Sequence, residues 1–141
     1  MTEGQARRRF GKDSKILWRD RKRPIFGWPL SFTRYAIIEK NDTWLKLFRS
    51  KGLLSIEEDE INFYRIFDIK LRRNLFNRIF GVGTITLYTN DETLPEVDIL
   101  LVKDPVILRD MISERVEQER QRRKVGITEF RAGFNSGGRS R

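Results

Sequence analysis

Phe67, Ile69 and Leu71 alternate with Asp68, Lys70 and Arg72. A period of two describes a strand that buries one face and wets the other. From Gly83, the run Thr84-Ile85-Thr86-Leu87-Tyr88-Thr89 is rich in β-branched and aromatic residues and gives a second strand. The connection between them, residues 73–82, is too long for a tight two-residue hairpin. Its Leu75, Phe76, Ile79 and Phe80 are too apolar for a free loop, so a folded-in connection is expected there. Gly81 and Gly83 close it, where the backbone is expected to need unusual dihedrals.

The rest of the chain repeats this hairpin logic. Residues 15–19 read as a short edge strand, and residues 24–32, with two prolines and a glycine, exclude a regular helix. Residues 33–40 and 43–48 form strands about an Asn41-Asp42 turn. Lys51-Gly52 turns again, residues 53–57 give a third strand, and residues 58–60 an acidic exposed bend. Residues 61–64 and 66–72 continue the sheet, and residues 96–102 supply the last strand after a turn at Asn90-Asp91-Glu92.

Then the period changes. Asp104 suits an N-cap and Pro105 a first helical position. Ile107, Leu108, Met111, Ile112 and Val116 recur at spacings of three and four, one apolar stripe of a helix over residues 104–124. The stripe stops at Val116, so the second half of that helix is expected to project, fray or meet a partner. Many short strands followed by one helix predict a mainly β domain with one C-terminal α-helix plugging a small open barrel. Residues 1–14, with almost no apolar content, read as a basic disordered arm, and residues 125–141 as a flexible basic tail.

Composition narrows function. There is no histidine and no cysteine, which removes the commonest general base, thiolate metal sites and disulfides. Neither an enzyme nor a cofactor is expected. Net charge is +9, but residues 1–24 and 105–141 carry the excess while residues 25–104 are close to neutral. A neutral body with basic ends favours a binding module over a nucleic-acid groove. No apolar run approaches the ~20 residues of a transmembrane helix, and no signal peptide is recognisable. The expectation is a cytoplasmic chain, peripheral to a membrane at most.

Three clusters invite chemistry. Gly81-Val82-Gly83 fails as a nucleotide loop, because a strand follows it and no P-loop lysine is present. Residues 57–60 are acidic but lack calcium-loop spacing. The informative cluster is Arg19, Arg21, Lys22 and Arg23 followed by Phe26 and Trp28. Cations beside aromatics suit an anionic membrane surface, at about 1 kcal/mol for each cation near the headgroups. The competing reading makes Trp28, Leu30 and Phe32 the start of the first sheet, with the cations solvated. Arg72, Arg73 and Arg78 flank the 73–82 connection as a candidate anion pocket. Nucleic acid held non-specifically by the two arms is the less favoured partner.

The segment from Ile61 to Thr89, with Arg65-Ile66-Phe67-Asp68-Ile69-Lys70-Leu71 and Phe80-Gly81-Val82-Gly83-Thr84-Ile85, resembles the core of the bacterial pleckstrin-homology (PH) domain family. Trp18-Arg19-Asp20, Thr33-Arg34-Tyr35-Ala36-Ile37 and Asp104-Pro105-Val106 resemble its opening segment, first full strand and closing helix, in order. The likeness covers about residues 16–116. It implies a PH-like barrel of about seven antiparallel strands in two near-orthogonal sheets, capped by the helix. It also implies a non-enzymatic binding or scaffolding role at a membrane surface or in a protein assembly, and a capacity to form homo-oligomeric rings. The basic pattern with which eukaryotic PH domains hold phosphoinositides is not reproduced at the 33–48 hairpin, which offers only Lys40 and Lys46.

Overall fold

The computed structural model describes residues 1–24, 28, 30–41 and 44–136, and beyond residue 124 it describes the backbone alone. Strands β1 (Ser14–Arg21), β2 (Arg34–Lys40), β3 (Trp44–Lys51) and β4 (Glu57–Asn62) pair in that order as an antiparallel sheet. A 3₁₀ turn, Phe63–Arg65, leads into a second antiparallel sheet of β5 (Ile66–Arg72), β6 (Val82–Thr89) and β7 (Glu96–Lys103). Helix α1 (Glu3–Phe10) precedes the strands, α2 (Leu75–Ile79) joins β5 to β6, and α3 (Pro105–Ser136) closes the chain.

One core fills the space between the sheets and α3. Tyr35, Ile37, Leu45, Leu47 and Ile61 come from the first sheet, and Ile66, Ile85, Leu87, Val97 and Ile99 from the second. Of the stripe read from the sequence, Leu108, Ile112 and Val116 plug it and Met111 packs partly against it, whereas Ile107 is exposed. Each fully buried aliphatic side chain contributes about 1.5–3 kcal/mol of transfer free energy. The two sheets are tied at one corner: the Arg23 N–H donates to the Leu101 carbonyl at 2.8 Å, and the Lys103 N–H to Asp20 Oδ2 at 2.9 Å.

Several expectations need correction. Residues 1–14 are not a disordered arm. Thr2 and Gln5 form a reciprocal capping box at the start of α1. Ala6, Phe10 and Met1 pack on Ala36, Ile38, Phe48 and Trp44, the outer face of the first sheet. This sheet is therefore buried on both faces, which is why Tyr35-Ala36-Ile37-Ile38 is continuously apolar instead of alternating. The third strand starts at Glu57 rather than Leu53, and Leu53-Leu54-Ser55 bends in solvent. The acidic residues expected in an exposed bend are the edge strand itself: Glu58 pairs with Arg9, Asp59 with Arg49 and Glu60 with Lys46. The 73–82 connection is not folded in. Leu75, Phe76, Ile79 and Phe80 of α2 and its C-cap are exposed. Asp104 enters the final helix at φ 48°, its N–H bonded to the Gly81 carbonyl at 3.1 Å.

The second half of α3 also departs from expectation. Arg120 donates to the Ile66 carbonyl at 2.8 Å and the Arg123 guanidinium lies 3.4 Å above the Tyr64 ring. Cations past the apolar stripe thus hold the helix to its own domain through residue 123. The backbone remains helical to Ser136, where a tail was expected; residues 137–141 of that tail lie outside the described residues.

Candidate binding surface

Sheet register decides which loops share an end. Arg21 pairs with Arg34, Arg34 with Ser50, and Ser50 with Glu58. The β1–β2 loop and the β3–β4 loop therefore open at the same end of the first sheet. In the second sheet Arg72 pairs with Thr84 and Val82 with Lys103. The β5–β6 connection and the β7–α3 junction thus sit together, and the Asp20–Lys103 and Arg23–Leu101 bonds bring them to the root of the β1–β2 loop. Three connections thus meet at one corner of the domain, and the β3–β4 loop opens at the same end of the first sheet.

The cations predicted for this end divide into two kinds. Arg19 donates to the Met1 carbonyl at 2.8 Å and so ties β1 to the N-terminus. Arg23 is held by Asp20, with Nη2 to Oδ1 at 3.0 Å, and both side chains are largely buried. These two position the scaffold. Arg21 stays exposed and Lys22 half-buried, with the Lys22 N–H closing the loop neck onto the Thr33 carbonyl at 3.0 Å. Trp28 is 64% exposed, and Leu30 and Phe32 are also exposed. They do not start the first sheet in the sense of entering its core. Phe26 lies outside the described residues. Leu53, Leu54 and Ile56 of the β3–β4 loop, and Ile107 on the first turn of α3, add further apolar side chains exposed to solvent.

The predicted anion pocket is not assembled in that form. Arg72 turns along the sheet to Thr86 Oγ1 at 3.2 Å and Asp98 Oδ1 at 3.4 Å. Arg73 lies against Gly83, close to Pro105, while Arg78 is exposed on α2. Gly81, at φ 67°, has the unusual dihedral expected of it. Gly83 serves differently: a Cβ there would meet Arg73 Cγ and Pro105 Cγ at 2.8 Å, so close approach is what requires glycine.

The ionisable groups are arranged for structure. Burial pushes the Tyr35 hydroxyl above its ordinary pKa, so it is a weaker acid than a free tyrosine. Tyr64 is drawn down by its hydrogen bond from Arg65, and it is half-buried at the surface. A cavity of about 300 Å³ between α1 and the first sheet is lined by Arg9, Arg49 and Glu58, which belong to cross-strand and helix–strand ion pairs. Among the described residues no group of three or more acidic side chains could hold a metal ion, and no helix is long and apolar enough to cross a membrane.

Sequence reasoning missed α1, whose signal was the Thr2-x-x-Gln5 box followed by Ala6 and Phe10 at helical spacing. It also missed that β1 and β2 form the first hairpin of the fold, with Lys22, Trp28, Leu30 and Phe32 in the loop between them.

The profile of the bacterial PH domain family matches residues 24–116, from the β1–β2 loop to the last residue of the α3 stripe. No curated protein and no solved structure matches the chain. With two antiparallel sheets of four and three strands and a C-terminal capping helix, and a profile match over well more than half its length, the chain belongs to the bacterial PH domain family.

Proposed function

We propose that this domain is a non-catalytic binding module that docks on an anionic membrane surface through its β1–β2 loop. PH-type domains are in general modules that bind lipids or proteins. The observation that carries the lipid reading is the outward display of Trp28, Leu30 and Phe32 beside Arg21 and Lys22 at one end of the domain. Indole and phenyl rings settle at the headgroup level, and cations meet lipid phosphates there. The N-terminal cations support neither a free nucleic-acid arm nor a loose tether. Arg9 is committed to Glu58, and the helix that carries it is packed on the sheet.

Co-sedimentation with vesicles of phosphatidylglycerol and phosphatidylcholine tests the reading. The wild-type chain is expected to bind the anionic vesicles, less so as salt rises, and to ignore pure phosphatidylcholine. The Arg21→Glu/Lys22→Glu and Trp28→Ala/Phe32→Ala variants should each weaken binding by tenfold or more, roughly what loss of two interfacial side chains costs. A defined oligomer in light scattering, indifferent to lipid, would replace the membrane reading with a protein scaffold.

A further inference from the structure

The β5–β6 connection is the least economical part of this fold if it only links two strands. It spends Leu75, Phe76 and Ile79 on water, at 68%, 71% and 67% exposure, and Phe80 at 41%. A short turn would serve the strands as well. The segment is nonetheless held in a fixed shape. Asn74 caps α2 by accepting from the Asn77 N–H at 2.8 Å, and Gly81 hands its carbonyl to the Asp104 N–H at the start of α3.

Its charge is one-sided. From Ile69 to Asn90 the chain contains no acidic residue, while Lys70, Arg72, Arg73 and Arg78 are all basic. The far end of the same sheet is mixed: the β6–β7 turn carries Asp91 and Glu92, but Arg65 pairs with Asp91 at 3.6 Å and Arg120 donates to the Ile66 carbonyl. The α2 end, by contrast, has an unbroken run of basic side chains beside its exposed apolar ones.

We infer that α2 is a second, independent membrane-insertion element, in which Leu75, Phe76, Ile79 and Phe80 enter the headgroup region of an anionic bilayer while Arg73 and Arg78 contact lipid phosphates. The inference rests on the membrane reading above and extends it to a site no loop residue supplies. Charge selects the occupant. A second copy meeting this face across a two-fold axis would set Arg73 and Arg78 against their own duplicates, with no carboxylate in the β5–β6 connection itself to separate them. A sheet of anionic headgroups complements both the cations and the apolar face. Geometry agrees, because Gly81, just after α2 and its C-cap, is bonded to the β7–α3 junction, which is bonded to the root of the β1–β2 loop, so the two elements adjoin one corner of the domain.

The absence of cysteine makes a site-specific probe clean. The full chain carrying Ile79→Cys, labelled with an environment-sensitive fluorophore, is mixed with vesicles of phosphatidylglycerol and phosphatidylcholine. Glu92→Cys, at the opposite end, serves as control. The label at position 79 should brighten and shift to the blue, the label at position 92 should not, and Phe76→Ser/Ile79→Ser should weaken sedimentation by about tenfold or more. If the wild-type chain sediments but the label at position 79 stays in water, the inference is overturned and the loop reading stands. If the label responds while Trp28→Ala/Phe32→Ala binds normally, the loop reading falls and the inference stands. A wild-type chain that does not sediment defeats both. A blue shift that appears with protein concentration alone identifies a second copy as the occupant and also overturns the inference.

Discussion

Asp20 Oδ2 accepts the backbone N–H of Lys103 at 2.9 Å, across 83 positions of sequence, while Oδ1 of the same carboxylate holds Arg23. One side chain therefore links the end of β1 to the end of β7 and fixes the loop between β1 and β2. Asp20→Ala should cost about 1.5–3 kcal/mol, since it strands a backbone donor and removes the carboxylate from a largely buried guanidinium. Asp20→Asn keeps an acceptor for Lys103 and should fall between. Urea denaturation midpoints give the order, and an alanine variant as stable as the wild type would show that this corner closes by other means.

Two glycines should respond to alanine with opposite sign. At Gly83 the new Cβ would sit 2.8 Å from Arg73 Cγ and from Pro105 Cγ, and 3.1 Å from Pro105 Cβ. Proline cannot swing away, so the start of α3 must shift. A loss of roughly 1–3 kcal/mol is expected, typical of overpacking. At Gly4, inside α1, nothing lies within 4 Å of the added Cβ. Alanine there should add a few tenths to about 1 kcal/mol through helix propensity and a less disordered unfolded state. Thermal denaturation of the pair is decisive, because the two shifts must differ in direction.

What the sequence made legible is the part of the fold whose side chains obey one period. β5 spans Ile66–Arg72, where the alternation lay, and Ile69 and Leu71 pack partly on the core, although Phe67 is exposed beside the register shift at Ile66–Asp68. In the α3 stripe Leu108, Ile112 and Val116 are buried while Ile107, its first member, is exposed. The N-terminal helix was illegible by composition, because Arg7, Arg8 and Arg9 dominate its average while Ala6 and Phe10 do the packing. The clue lay in its partner: Tyr35-Ala36-Ile37-Ile38 does not alternate, and such a strand needs a cover on each face. The candidate surface was only half legible. Its residues could be named, but Asp20 and Arg23 three apart read as one more charge cluster, not as an anchor. At Leu75 and Phe76 hydrophobicity argued for burial, but both stand on a short helix outside the strands and are exposed.

Tyr35 offers a pH dependence. Its hydroxyl accepts from the Leu100 N–H at 3.0 Å and donates to the Asp98 carbonyl at 3.5 Å, and burial raises its pKa above the ordinary value of 10.0. The unfolded chain therefore loses this proton first. The contribution of the neutral hydroxyl is complete below about pH 10 and fades as pH rises toward the folded-state value. Tyr35→Phe should cost about 1–2 kcal/mol near neutrality, where the Leu100 donor is left unpaired. The gap between variant and wild type should narrow above pH 10. Urea titrations at stepped pH measure it, and a gap that stays constant into strong alkali would contradict the raised pKa.

Helix α1 should detach without unfolding the body. Ala6 has no exposed surface and touches the cluster of Ala36, Ile38 and Phe48, so Ala6→Glu would place an unpaired carboxylate in an apolar seam. The chain's cheapest response is to release the helix, because the principal core between the sheets does not involve it. Release forfeits the Phe10 ring contacts, 4.8 Å to Phe48 and 5.5 Å to Trp44, and the Arg9–Glu58 pair. Amide exchange should then lose protection over residues 6–10 and keep it over β5, β6 and β7, while a hydrophobic dye finds the uncovered sheet face. Thr2→Ala, which removes only the cap, should move the same amides by about 1 kcal/mol and leave the dye silent. Global loss of exchange protection in Ala6→Glu would mean that α1 is part of the folding unit and not a cover laid over it.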